Sequence, residues 1–223
     1  MQNDLSRRLA AEFIGTAMLL AAVVGSGIMA ERLSGGNVAL ALLAHTMATG
    51  AALVALIFTF APVSGAHLNP AVTMWSVLNR ETAWKVAALY IAVQISGAII
   101  GVGIANVMFG LPFLFVSTKE RIGAPLWLGE FVATFGLIGV IHACSRLQKT
   151  FVVPIAVAAY ISAAIWFTSS SSFANPAVTI ARALSDTFTG IRPADVPGFV
   201  VAQLLGALAA VFLFRWLVPL ETK

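Results

Sequence analysis

The pentapeptide Asn-Pro-Ala-Val-Thr occurs at 69–73 and again, unchanged, 106 residues later at 175–179. Each copy sits among apolar stretches, and this combination restricts the chain more than any other feature. A spanning helix needs roughly 20 mostly apolar residues. Six stretches qualify: 9–30, 38–60, 83–109, 125–143, 151–167 and 196–217. The pieces between them are too short for a separate soluble domain. Hydrophobic residues make up 60% of the 223 and charged residues 10%, against about 25% charged in an average soluble domain. Too few charges remain to cover a water-facing surface, and a disordered chain is excluded by the same numbers. A single cysteine rules out a disulfide scaffold and a Cys-based zinc site, so no metal and no cofactor are expected. The formal net charge of +4 is accounted for by cytoplasmic loop charges rather than by a nucleic-acid partner.

The repeat extends beyond the pentapeptide. Ala11-Glu12-Phe13-Ile14-Gly15-Thr16 resembles Gly129-Glu130-Phe131-Val132-Ala133-Thr134, and Gln94-Ile95-Ser96-Gly97-Ala98 resembles Gln203-Leu204-Leu205-Gly206-Ala207. Three matches in the same order mark a tandem duplication, with repeats at about 1–115 and 116–223. Each half holds three spans, an odd number. The halves therefore insert with opposite orientation, related by a pseudo-two-fold in the membrane plane. The first stretch follows Ser6-Arg7-Arg8, a twin-arginine pattern that also opens some signal peptides. Glu12 inside the apolar run, and the matching segment later in the chain, argue for a span instead. With the N-terminus inside, Arg7, Arg8, Arg80, Lys85, Arg146, Lys149, Arg215 and Lys223 are cytoplasmic. Arg32, Lys119, Arg121, Arg182 and Arg192 are outside. The excess of positive charge on the first set favours cytoplasmic N- and C-termini.

Each Asn-Pro-Ala is followed by an apolar run of about ten residues, which as a helix reaches roughly 15 Å, half the hydrocarbon thickness. Each run reads as a half-helix dipping to the midplane, with Pro70 or Pro176 in its first turn and Asn69 or Asn175 as its N-cap. Two such helices entering from opposite faces aim their positive dipole ends at one point. Unwound backbone before them, at 64–68 and 169–174, is tolerated at membrane depth only where it lines a polar cavity. The asparagine amides donate to a passing oxygen atom, and a cation or a migrating proton meets positive potential. The expected selectivity is for neutral, hydrogen-bonding solutes.

Taken together, the paired Asn-Pro-Ala-Val-Thr, the Ser64-Gly65-Ala66-His67 lead-in, Glu12 with Glu130 and Gln94 with Gln203 make the sequence similar to the aquaporin (major intrinsic protein) family over essentially its whole length. The resemblance implies an all-α membrane protein, a single channel domain over 1–223 with six spans and two reentrant half-helices. It implies a homotetramer in the lipid bilayer with one pore per subunit. It implies a midplane formed by Asn69, Pro70, Ala71, Asn175, Pro176 and Ala177. Glu12, Glu130 and His67 would support the reentrant loops. It also implies a second constriction, whose four positions fall by gapless counting on Thr49, Ala163, Ser172 and Val178. Water-selective members resemble one another in an aromatic, a histidine, a small residue and an arginine there; glycerol-conducting members keep the arginine, usually followed by aspartate. Here Val178-Thr179 replaces Arg-Asp, and all four positions are small. The passage is expected to be wide and weakly polar unless Phe173 or Trp166 fills it.

Arg182 lies seven residues after Asn175, within about 20° of the same helix face, which places it in the outer vestibule; its alternative is an i+4 pair with Asp186. His45, His142 and Cys144 read as packing groups. Gly97-x-x-x-Gly101 fits close helix contact. Ser169 to Ser172 with His67 lacks the spacing of a nucleophile and base, so no enzyme is expected. The expected function is passive passage of small neutral solutes and water across a bacterial inner membrane. The solutes are polyols such as glycerol, urea, and metalloid species such as arsenite or methylated arsenicals, similar to channels associated with bacterial arsenic resistance. A water-selective aquaporin and an ion-coupled transporter using Glu12 or Glu130 are the alternatives.

Overall fold

The computed structural model describes residues 4–147 and 151–218. Lys149 and Lys223, two of the charges counted as cytoplasmic, lie outside the described residues. Among the described residues there are eight α-helices, two short 3-10 turns and no strand. In chain order the helices are α1 Leu5–Leu33, α2 Val38–Ser64, α3 Pro70–Leu78, α4 Trp84–Met108, α5 Ala124–Cys144, α6 Val152–Phe167, α7 Pro176–Arg182 and α8 Val196–Leu217.

Five of these helices are long and apolar enough to cross a membrane. The sixth, α6, has 16 residues, about 24 Å, short of the ~30 Å of hydrocarbon. The helices overrun the apolar stretches where polar residues find partners at the ends. Arg8, in the first turn of α1, donates to the Tyr90 hydroxyl at 2.8 Å, and Asn37 caps α2 by accepting from Leu40 N at 3.1 Å. α2 runs through Pro62 and ends where Gly65 turns left-handed at φ 91°, a conformation glycine takes without strain.

Packing repeats the duplication. α1 packs on α4 and α2, and α5 packs on α8 and α6. Any Cβ on Gly97 would overlap the Phe13 carbonyl oxygen, one on Gly101 that of Ala17, and one on Gly206 that of Phe131. Only glycine lets these backbones approach so closely. Outward faces carry large apolar side chains, among them Ile14, Met18, Leu205, Phe212 and Trp216, as a lipid-facing surface requires. The loop between α4 and α5 lies against the segment after α7: Phe115 N donates to Leu184 O at 3.1 Å, Ser117 N to Ala183 O at 2.9 Å and Arg192 N to Lys119 O at 2.7 Å.

Candidate functional site

α3 and α7 are the half-helices, and their N-termini meet. Asn69 and Asn175 are extended (φ −160° and −157°) with their oxygens turned onto the first free amides. Asn69 Oδ1 accepts from Ala71 N at 2.8 Å; Asn175 Oδ1 accepts from Ala177 N at 3.0 Å and Val178 N at 3.3 Å. Pro70 and Pro176 begin the helices, where a missing N–H costs nothing. Each amide nitrogen then crosses to the other half. Asn69 Nδ2 donates to Ala174 O and Asn175 Nδ2 to Leu68 O, both at 2.8 Å.

Those acceptor residues are held from the opposite side. Ala66, Leu68, Ser171, Ser172 and Ala174 all have positive φ, which costs a non-glycine residue of order 1–3 kcal/mol. The buried carboxylates offset that strain. Glu12 Oε1 accepts from Ser64 Oγ (2.6 Å) and His67 N (3.0 Å), and its Oε2 from Leu68 N (2.7 Å) and Gln94 Nε2 (2.8 Å). Glu130 Oε1 accepts from Phe173 N (2.8 Å), and its Oε2 from Ala174 N (2.9 Å) and Gln203 Nε2 (2.6 Å). The same glutamines reach Thr73 and Thr179 on the half-helices, at 3.0 and 2.8 Å. His67 adds a bond between its Nδ1 and Thr73 Oγ1 at 3.1 Å. Both carboxylates are fully buried, Glu12 with four donors and Glu130 with three.

A cavity of about 290 Å³ runs past this meeting point. One end is bordered by His45 and Arg182, the other by Glu81, Ser145 and Val153. Asn69, Asn175, His67, Thr49, Ser172 and Val178 line it, together with an aliphatic wall that includes Leu53, Ile57, Leu137, Val157 and Ile161. Glu12, Glu130, Pro70, Ala71, Pro176 and Ala177 are buried around it rather than on it.

Ala163 is a correction. It is exposed on the outer surface and does not border the cavity; α6 presents Val153, Val157, Ile161 and Ile165 there instead. One residue on a helix is a 100° rotation, so a count carried back through the left-handed turns at Ser171, Ser172 and Ala174 does not preserve the face. Arg182 borders the cavity and is 5% exposed, and it does not pair with Asp186. That carboxylate accepts from Thr118 N at 2.9 Å and Thr118 Oγ1 at 3.0 Å. Trp166 is exposed and bonds to Thr46 Oγ1 at 3.1 Å, whereas Phe173 does line the passage. His45 also borders it, its Nδ1 2.9 Å from Ser26 Oγ, while His142 is buried and accepts from Trp75 Nε1 at 3.3 Å. No sequence signal marked the α6 lining, because the helix is apolar apart from Tyr160 and Ser162, and neither of these faces the cavity.

Two half-helices nose to nose beside a lined passage, each looped through the other half, are a membrane pore's geometry. A family model for the major intrinsic protein matches residues 1–172. The chain belongs to the major intrinsic protein family. Members of this family are passive channels rather than enzymes. The chain is 52% identical over 214 residues to Aquaglyceroporin AqpS of Rhizobium meliloti (strain 1021), covering 96% of this chain and 91% of that protein. It is 29% identical over 255 residues to Probable aquaporin AqpM of Archaeoglobus fulgidus, covering 97% and 99%. The X-ray structure of the aquaglyceroporin from Plasmodium falciparum superposes with a TM-score of 0.73 at 19% identity, over 97% of this chain and 98% of that one. This major intrinsic protein is thus a multi-pass membrane channel for small neutral solutes and water.

Proposed function

We propose that the channel passes solutes larger than water: glycerol-like polyols, urea, and neutral metalloid hydroxides including arsenite and methylated arsenicals. The observation that carries this reading is Val178, an aliphatic residue on the cavity wall three positions after Asn175, where the resemblance implies an arginine. Thr49 and Ser172, which also line the cavity, are small, and much of the remaining wall is aliphatic, so the lumen suits molecules with both carbon or metalloid bulk and a few hydroxyls. The 52% identity to a protein named an aquaglyceroporin supports the same reading. On this reading Asn69 and Asn175 form the midplane, with their prolines and alanines setting the half-helices. Glu12, Glu130 and His67 hold the reentrant loops. The chain is one channel domain of two inverted repeats, at 1–115 and 116–223. It assembles as a homotetramer in a bacterial inner membrane with both termini cytoplasmic. Both oxygens of Glu12 and of Glu130 accept hydrogen bonds from the reentrant loops and glutamines, which weighs against their serving as proton carriers.

The test is Val178→Arg in proteoliposomes at matched protein density, with water and glycerol flux read by stopped-flow light scattering. A guanidinium in the lumen leaves water two small hydrogen-bonding contacts and obstructs glycerol. The glycerol-to-water ratio should drop at least about tenfold, equivalent to ~1.4 kcal/mol. An equal change in both fluxes would show that Val178 does not set selectivity.

A further inference from the structure

The mouth bordered by His45 and Arg182 holds a guanidinium with no salt bridge among the described residues. Arg182 Nε donates to Thr189 O, and its guanidinium carbon lies 3.4 Å from the centroid of the Phe173 ring. These two contacts fix the plane of the fork. Nη1 and Nη2 have no hydrogen-bond partner among the described residues, although Arg182 is 5% exposed and borders the cavity. Two polar atoms on residues lining the cavity, Thr49 Oγ1 and Ser172 Oγ, are buried and have no hydrogen-bond partner among the described residues. A buried donor with no acceptor destabilises the fold unless an acceptor reaches it. Two enclosed hydroxyls and an arginine fork open to the same cavity therefore point to something that enters it.

The charge around them is positive. The Arg121 guanidinium lies 5.0 Å from the same Phe173 ring and is held by Gly190 O at 2.7 Å. Burial draws its pKa down to about 10, which leaves it protonated at neutral pH. Lys119 follows in the same loop, its pKa lowered by burial and by Arg121 and Arg182. Glu31 bears on Lys119, and the carboxylates of Asp186, Asp195 and Glu130 are engaged elsewhere. Asp186 accepts from Thr118, Asp195 from Arg121 N and Arg192, and Glu130 from the reentrant loop and Gln203.

We infer that Arg182, Ser172 and Thr49 form a binding subsite for a small monovalent oxyanion, the deprotonated form of an oxoacid. The guanidinium fork takes two oxygens of the anion, and the two hydroxyls donate to whatever acceptor lone pairs remain. The apolar surfaces of Phe173 and Val178 receive a carbon substituent. Beyond the subsite most of the wall is aliphatic, broken by Asn69, Asn175 and His67, so the charged form is retained at the mouth while its neutral acid can proceed. The inference rests on the proposed function only for the route by which the anion arrives, and binding is measured separately from flux.

Methylphosphonate, as the monoanion, is the probe. Calorimetric titration into the solubilised wild-type channel, at constant ionic strength with chloride as the replaced ion, should show saturable binding. In Arg182→Met, loss of a charge-assisted bond weakens it at least about tenfold. Ser172→Ala with Thr49→Val, which leaves the charge in place, should weaken it less. The same anion should slow glycerol flux in wild-type proteoliposomes and lose that effect in Arg182→Met. No binding to wild type, or equal binding to wild type and Arg182→Met, overturns the subsite. If Arg182→Met does not fold, unchanged affinity in the Ser172→Ala/Thr49→Val variant overturns it instead. Binding without any glycerol flux would leave the subsite standing and refute the channel reading.

Discussion

Glu130→Gln keeps the shape of the side chain and removes its charge and one acceptor. In the wild type both carboxylate oxygens are in use, Oε1 with Phe173 N and Oε2 with Ala174 N and Gln203 Nε2. An amide must turn its NH2 toward one of these donors. The less damaging orientation leaves Phe173 N–H unsatisfied, at about 1–3 kcal/mol, and reduces two charge-assisted bonds to neutral ones, at about 1 kcal/mol each. With some relaxation the loss is about 2–4 kcal/mol. At roughly 2–4 °C per kcal/mol for a chain of this size, the solubilised variant should unfold roughly 5–15 °C below wild type. The assay is thermal unfolding followed by size-exclusion chromatography, with glycerol flux measured at a temperature where both proteins remain folded. A shift smaller than about 2 °C would mean that the carboxylate is not what holds the loop. An unshifted variant with abolished flux would point instead to a proton-carrying glutamate and an ion-coupled mechanism.

Asn175→Asp keeps the cap but turns a carboxylate oxygen toward Leu68 O, where the amide donated at 2.8 Å; cation leak, read with a pH-sensitive dye in liposomes, should rise because negative charge now sits between two positive dipole ends. An unchanged leak would refute the dipole account of cation exclusion. Gly101→Leu drives a side chain into the Ala17 carbonyl and should yield no monodisperse protein on size exclusion, so a well-behaved variant would contradict the close α1–α4 contact. Ala163→Leu, on the outer face, should leave both permeabilities within about a factor of two, the scale of an ordinary surface change, while Ile161→Trp on the cavity wall should slow glycerol more than water. The reverse ranking in swelling assays would restore Ala163 to the pore.

The architecture was legible because it is written in long-range repetition and in local chemistry that needs no tertiary context. Asn before Pro at 69 and 175 specifies capped helix starts, and an odd number of spans per half specifies inversion. The parts that were not legible depend on rotation. Whether α6 shows Ala163 or Ile161 to the lumen follows from the turns at 168–175, and α6 has no polar stripe to indicate its inner face. The fate of Arg182 was half legible. Its angular position beside Asn175 followed from helix periodicity, but the choice between lumen and Asp186 was made by the 109–123 loop, which brings Thr118 onto Asp186. That loop has no periodicity to read. α7 likewise stops at Arg182 because the carbonyls of Ala183 and Leu184 turn to that loop's amides, a long-range pairing invisible locally.

The crossed bonds from Asn69 to Ala174 O and from Asn175 to Leu68 O also order events during synthesis. Asn175 is made 106 residues after Asn69, roughly 5–20 s later at ordinary translation rates. Throughout that interval the first half-helix has an amide with no acceptor and a strained carbonyl with no donor, so its loop cannot settle at membrane depth and must stay hydrated or sheltered by the insertion machinery. The passage therefore closes as a last step, when the second half arrives. A chain truncated before α7 would be left with an open reentrant loop, a target for quality-control proteolysis, rather than with half a working pore.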